Sequence, residues 1–147
     1  MKIAMACDHG AVELKNKLKA HLQEKGMEVV DFGTHTTDSC DYPDYIAPAA
    51  QAVASGECER GIVLCTTGIG VSIVANKIKG IRCALLSDTV TARLTREHND
   101  TNMMALGAGV TGPMLAQEIV DIWLATEFSH AERHQRRIDK VMALENL

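Results

Sequence analysis

Short apolar runs alternate along the chain with apolar residues at helical spacing. Ile3-Ala4-Met5-Ala6 is a continuous apolar run of the kind a buried strand uses. Between Val12 and Leu22, Leu14, Leu18 and Leu22 recur every four residues and so share one face of a helix. Lys25-Gly26 supplies its stop, a cation for the negative end and a residue free to turn left-handed. Glu28 to Phe32 reads as a second strand. The polar loop from Gly33 to Asp44 is long for a compact domain, and long loops are often functional. Tyr45 to Ala54 reads as helix and stops at Ser55-Gly56.

Gly61 to Cys65 is the clearest strand, and it runs into the glycine loop Thr66-Thr67-Gly68-Ile69-Gly70. A helix follows to about Lys79, then the strand Arg82 to Leu86, then a helix capped by Ser87-Asp88 and running towards His98. Met103 to Leu106 is a fifth strand. Thr111-Gly112-Pro113 starts a helix to about Ala125, and a last helix covers about 130–147. Five strands, each followed by a helix, predict a parallel sheet with helices on both faces. The expected fold is a single doubly wound, Rossmann-like α/β domain over residues 1–147, with no repeat or linker. Ligands in such sheets bind beyond the carboxyl ends of the strands. That rule gathers Cys7-Asp8-His9-Gly10, Gly33-Thr34-His35, the glycine loop, Ser87-Asp88 and Gly107-Ala108-Gly109 on one edge.

A length of 147 residues fits one domain, and 46% hydrophobic with 23% charged residues fits a globular chain. Only 3% of residues are aromatic and the formal net charge is −4, which argues against nucleic-acid and membrane partners. No apolar run is long enough to span a bilayer and no leader pattern opens the chain, so a soluble cytoplasmic protein is expected. The five cysteines are odd in number, with no C-x-x-C pair and no zinc-finger spacing. Buried free thiols are expected for all but Cys65.

Gly68 and Gly70 let the loop after the third strand turn tightly and present N–H groups, with the positive end of a helix behind them. That suits a phosphate or a transient oxyanion; by itself it is also an ordinary strand-to-helix turn. A dinucleotide fingerprint would need glycine at Ile73, and no Gly-Lys-Ser/Thr follows for a Walker loop. Cys65 stands at the strand end, where dipole and amides favour a thiolate. A cysteine phosphatase would need arginine six residues later, where this chain has Val71, which leaves general-base chemistry. Asp8-His9 and His98-Asn99-Asp100-Thr101-Asn102 are further polar clusters, each also compatible with capping or a turn. Arg133 and Arg137 are four apart, so one helix face can grip one oxyanion, while Arg136 is read as a solvated charge. Ile138, Val141 and Met142 form the stripe expected to dock that helix.

These segments resemble the ribose/galactose isomerase family, in particular its ribose-5-phosphate isomerase B branch. The resemblance rests on Cys7-Asp8-His9-Gly10, Asp41-Tyr42-Pro43-Asp44-Tyr45, Cys65-Thr66-Thr67-Gly68-Ile69-Gly70, Ala75-Asn76-Lys77, Ile81-Arg82, His98 to Asn102 and Arg133 to Arg137. It implies an aldose–ketose isomerase acting on a sugar phosphate through a cis-enediolate, without metal or organic cofactor. By that resemblance Cys65 shuttles the proton between carbons 2 and 1, His98 opens the furanose ring, and Asp8 orients hydroxyls. Thr67, the amides from Thr66 through Gly68 and Ile69 to Gly70, and Asn99 stabilise the enediolate. Arg133 and Arg137, with His9 and His134, hold the phosphate, and Tyr42 lies among the substrate contacts. The resemblance also implies a homodimer or dimer of dimers with shared active sites, the terminal helix and the Gly33–Asp44 loop reaching across.

Three departures stand out. Some relatives use a glutamate base at the position of Val71, so here only the cysteine version is available. Many members carry arginine where this chain has Gly109, and glycine where it has Thr66. Gly109→Arg is therefore expected to strengthen phosphate binding. Another phosphorylated aldose, such as galactose 6-phosphate or allose 6-phosphate, stays open as substrate. So do a non-catalytic sugar-phosphate binder and, weakened by Val71, a phosphatase.

Overall fold

The computed structural model describes all residues from Met1 to Leu147. Its strands are β1 (Lys2–Cys7), β2 (Glu28–Asp31), β3 (Arg60–Cys65), β4 (Cys83–Leu85) and β5 (Met103–Gly107). Its helices are α1 (Val12–Glu24), α2 (Pro43–Ala54), α3 (Ile69–Asn76), α4 (Thr89–Asn99), α5 (Pro113–Ala125) and α6 (Glu132–Ala143), with a short 3-10 turn at Leu144–Asn146. All strands pair in parallel, in the order β2-β1-β3-β5-β4. The expected five-stranded doubly wound sheet is therefore present.

Alternation along the strands divides the core in two. Ile3, Met5, Ile62, Leu64, Met104 and Leu106 face one layer, where they meet Leu14, Leu18 and Leu22 of α1 and Trp123 of α5. Ala4, Ala6, Val63, Cys65 and Ala105 face the other and meet α2 and α3 through Ile46, Ala49, Val71 and Ala75. Small residues on that face let the two helices approach the sheet closely. Each large aliphatic side chain so buried contributes roughly 1.5–3 kcal/mol.

Local chemistry sets the boundaries. Asp88 caps α4 by accepting the Thr91 N–H at 2.7 Å, as read from the sequence. The helix after the glycine loop stops at Asn76 rather than Lys79. There the Asn76 side chain donates to the Cys83 carbonyl (2.9 Å) and accepts the Cys83 N–H (2.8 Å), joining the helix end to edge strand β4. The α6 stripe docks only in part: Ile138 is buried, whereas Val141 is 53% exposed. No helix is long and apolar enough to cross a membrane.

One buried residue contradicts its polar appearance. Lys15, on the same helix as the leucine face, is 0% exposed. Its Nζ donates to Asp31 Oδ1 and to the Thr34 carbonyl, both at 2.8 Å. A buried ammonium is tolerable only with such partners. The pair fixes the start of the β2–α2 loop, where Thr34 N–H donates to the Cys7 carbonyl at 2.8 Å.

Candidate active site

At the carboxyl edge of the sheet, Cys65 ends β3 and is 6% exposed. Gly68, with φ of +78°, bends the chain so that its N–H donates to Cys65 Sγ at 3.0 Å. A side chain at position 68 would strike Leu85 and the Leu106–Gly107 backbone, so glycine is required there. Thr67 Oγ1 stands 3.9 Å from the same sulfur and accepts the Ile69 N–H at 3.2 Å, leaving its own proton to donate. Two of the loop's amides are thus engaged inside the loop, one on the thiol itself. The sulfur thus sits on an amide donor at the start of α3.

Asp8, 9% exposed, follows β1 beside this loop, and its Oδ1 accepts the Gly10 N–H at 2.8 Å. His9 Nδ1 accepts the Cys40 N–H at 3.3 Å, which leaves Nε2 to carry the donor proton. The long β2–α2 loop thereby orients His9. Tyr42 opens α2 and lies over Gly70, where a Cβ would come within 2.8 Å of its ring. Asp8, His9, Tyr42, Cys65 and the glycine loop therefore form one cluster.

The other expected residues lie elsewhere. His98 and Asn99 end α4, which runs back across the sheet to the amino end of β5. The register Gly61↔Met103 and Cys65↔Gly107 puts that end four residue steps, about 13 Å, from the level of Cys65. There His98, Asn99, Arg133, His134 and Arg137 line a cavity of about 1020 Å³ to which none of Asp8, His9 or residues 65–70 contributes. The resemblance gives His98 and Cys65 to one active site; within one chain the two belong to opposite ends of the sheet.

This second cluster has its own supports. Arg82 Nε donates to the Asn99 carbonyl at 2.9 Å and Nη2 to the Asp100 carbonyl at 2.7 Å, closing the end of α4. Arg136 turns away to pair with Glu132, while Arg133 and Arg137 make no ion pair and face the cavity. His134 is 8% exposed. Burial, then the neighbouring Arg133, His98 and Arg137, holds its imidazole below the usual range. Ser129 escaped the sequence reading, and Arg82 and Gly10 entered it only as parts of motifs with no role assigned. The only signal for Ser129 was its spacing to Glu132, which reads as a helix cap. No three His, Cys, Asp or Glu side chains gather to hold a metal ion.

Known proteins match this arrangement along nearly its whole length. Residues 3–141 match the model of the Ribose/Galactose Isomerase family. A putative sugar phosphate isomerase of Bacillus subtilis, YwlF, is 55% identical over 96% of this chain and 95% of its own. Ribose-5-phosphate isomerase B of Escherichia coli is 47% identical over 98% and 96%. The solved structure of ribose-5-phosphate isomerase B from Clostridium thermocellum superposes with a TM-score of 0.97, at 50% identity, over 99% of this chain and 98% of that one. The chain belongs to the ribose/galactose isomerase family, on its ribose-5-phosphate isomerase B branch, and is a sugar-phosphate aldose–ketose isomerase.

Proposed function

We propose that the enzyme interconverts ribose 5-phosphate and ribulose 5-phosphate, with Cys65 as the base, in a site completed by a second copy of the chain. The observation that carries the base assignment is the Gly68 N–H held 3.0 Å from Cys65 Sγ at the mouth of the glycine loop. The observation that carries the second copy is the division of the functional residues between two ends of one sheet. A partner in a homodimer would bring its His98, Asn99, Arg133 and Arg137 to the first chain's Asp8, His9, Tyr42 and Cys65. The apolar side chains of Ile69, Ile73 and Leu85, exposed beside the glycine loop and edge strand, suit such a contact.

His98 opens the furanose by passing its proton to the ring oxygen as the bond from that oxygen to carbon 1 breaks, and the freed imidazole takes the proton of the hydroxyl on carbon 1. The Cys65 thiolate then takes the proton from carbon 2 of the open aldose, and the electron pair moves onto the carbonyl oxygen of carbon 1. The Thr67 hydroxyl, loop amides and Asn99 steady the resulting cis-enediolate. The hydroxyl proton on carbon 2 moves to the oxygen of carbon 1, and Cys65 returns its proton to carbon 1, giving the ketose. Asp8 orients the sugar hydroxyls; Arg133, Arg137 and the Nε2–H of His9 hold the phosphate, and His134 lines the same cavity. A positioned base contributes roughly 10²–10⁴-fold to such a proton transfer, and each oxyanion donor about 10²–10³-fold.

Cys65→Ala should lose at least a hundredfold in kcat for ribose 5-phosphate, and solvent deuterium should cease to enter the sugar, while sugar-phosphate binding persists. Turnover near wild type in that variant rejects the base. Across a panel of aldose phosphates, ribose 5-phosphate should give the highest kcat/KM; a higher value for galactose 6-phosphate or allose 6-phosphate reassigns the substrate.

A further inference from the structure

His98 is exposed on the last turn of α4, and no hydrogen bond from the protein reaches its ring. A bare imidazole there would sample several rotamers, and reaction needs one. Its ring does have a neighbour. The His134 ring packs against it with centroids 4.5 Å apart and planes inclined at 40°. His134 in turn is anchored: its Nδ1 lies 2.6 Å from Ser129 Oγ. That hydroxyl also accepts the Ala131 N–H at 3.1 Å, so its own proton is free to go to Nδ1. Anchored in this way, the ring cannot turn its Nδ1 towards a ligand.

We propose that His134 is a positioning residue for His98, a plate clamped by Ser129 that fixes the ring of the residue assigned to furanose opening. The inference rests on that assignment of His98. The charges around His134 agree with it. Arg133 and Arg137 on α6 and His98 on α4 disfavour a proton on His134, and only Glu97 on α4 favours one. An uncharged plate lets His98 take up a proton without a second imidazolium in contact. The arginines are left to the phosphate.

The test is a mutant cycle in the intact enzyme. His134→Ala should lower kcat for ribose 5-phosphate roughly ten- to hundredfold, as a misplaced catalytic group does. KM and inhibition by inorganic phosphate should change less than about threefold. His134→Phe keeps a flat ring and should recover most of the loss. In a His98→Asn background, His134→Ala should add nothing further, because a positioning residue has no effect once its target is gone. Weaker phosphate inhibition with unchanged kcat would make His134 a phosphate ligand and overturn the proposal, as would losses that multiply in the double variant. Wild-type turnover in His98→Asn alone would instead remove the assignment on which the proposal rests.

Discussion

The methyl group of Thr66 stands 2.9 Å from the point where a Cβ on Gly109 would sit, so the two positions share one space. The Gly109 N–H also donates to the Thr66 carbonyl at 2.8 Å, which ties the β5–α5 loop to the loop that carries the thiol. On its other side the Thr66 hydroxyl fills the place a side chain on Gly10 would need. Thr66 is thus wedged between two glycines, and its branched Cβ leaves it little freedom to yield.

This wedge revises the expectation for Gly109→Arg. As a single change it meets the Thr66 methyl and carbonyl and should lower the melting temperature. Only with Thr66→Gly beside it should the new guanidinium be accommodated. The double variant should then melt near wild type, and inorganic phosphate should inhibit it more strongly than Thr66→Gly alone. A Gly109→Arg single variant with unchanged melting would contradict the shared space.

Five thiols differ sharply in environment. Burial, opposed by Lys15 and reinforced by Asp31 and Asp8, pushes the Cys7 thiol up to about 12, and burial raises Cys83 likewise to about 12. Those two thiols stay protonated and inert at neutral pH. Cys65 has the Gly68 amide on its sulfur. Iodoacetamide should therefore label Cys65 in the folded protein, with protection by ribose 5-phosphate, and leave Cys7 and Cys83 untouched. Peptide mass spectrometry decides; equal labelling of Cys7 and Cys65 would defeat the account.

The Asp31–Lys15 pair gives stability a pH dependence. Burial works to raise the Asp31 carboxyl, but the Lys15 ammonium, the Gly33 N–H and Lys19 together hold it below its usual value. A depressed carboxylate contributes stability that is present above the unfolded value near 3.8 and is lost as pH falls through the folded one. Urea unfolding should show that loss below about pH 4. Asp31→Asn, which strands a buried ammonium, should cost about 3–5 kcal/mol at neutral pH. Lys15→Met added to it should recover much of the loss; no recovery would mean that the ammonium is not what the aspartate serves.

The sheet was legible in the sequence because its signals are local. Leu14, Leu18 and Leu22 share a helix face whatever surrounds them, and Asp88 caps α4 through a bond only three residues long. Lys15 was not legible: helical spacing gives a face but not what else reaches it, and its partner Asp31 lies sixteen residues away. The insertion of β5 between β3 and β4 depends on tertiary packing. So does the division of the site. The residue types carry the chemistry, yet α4 ends at the amino edge of the sheet, so His98 and Cys65 separate within one chain.

Mixing two crippled variants tests the central claim of a Cys65 site completed by another copy. Cys65→Ala and His98→Asn should each lose at least a hundredfold in activity alone while keeping a measurable remainder. When the two are dissociated, combined in equal amounts and reassociated, a mixed dimer keeps one intact pairing, the Cys65 of one chain with the His98 of the other. Random exchange then restores about a quarter of wild-type activity for ribose 5-phosphate. Sites contained within single chains would stay crippled in every mixed dimer, and no recovery on proven subunit exchange would contradict the account.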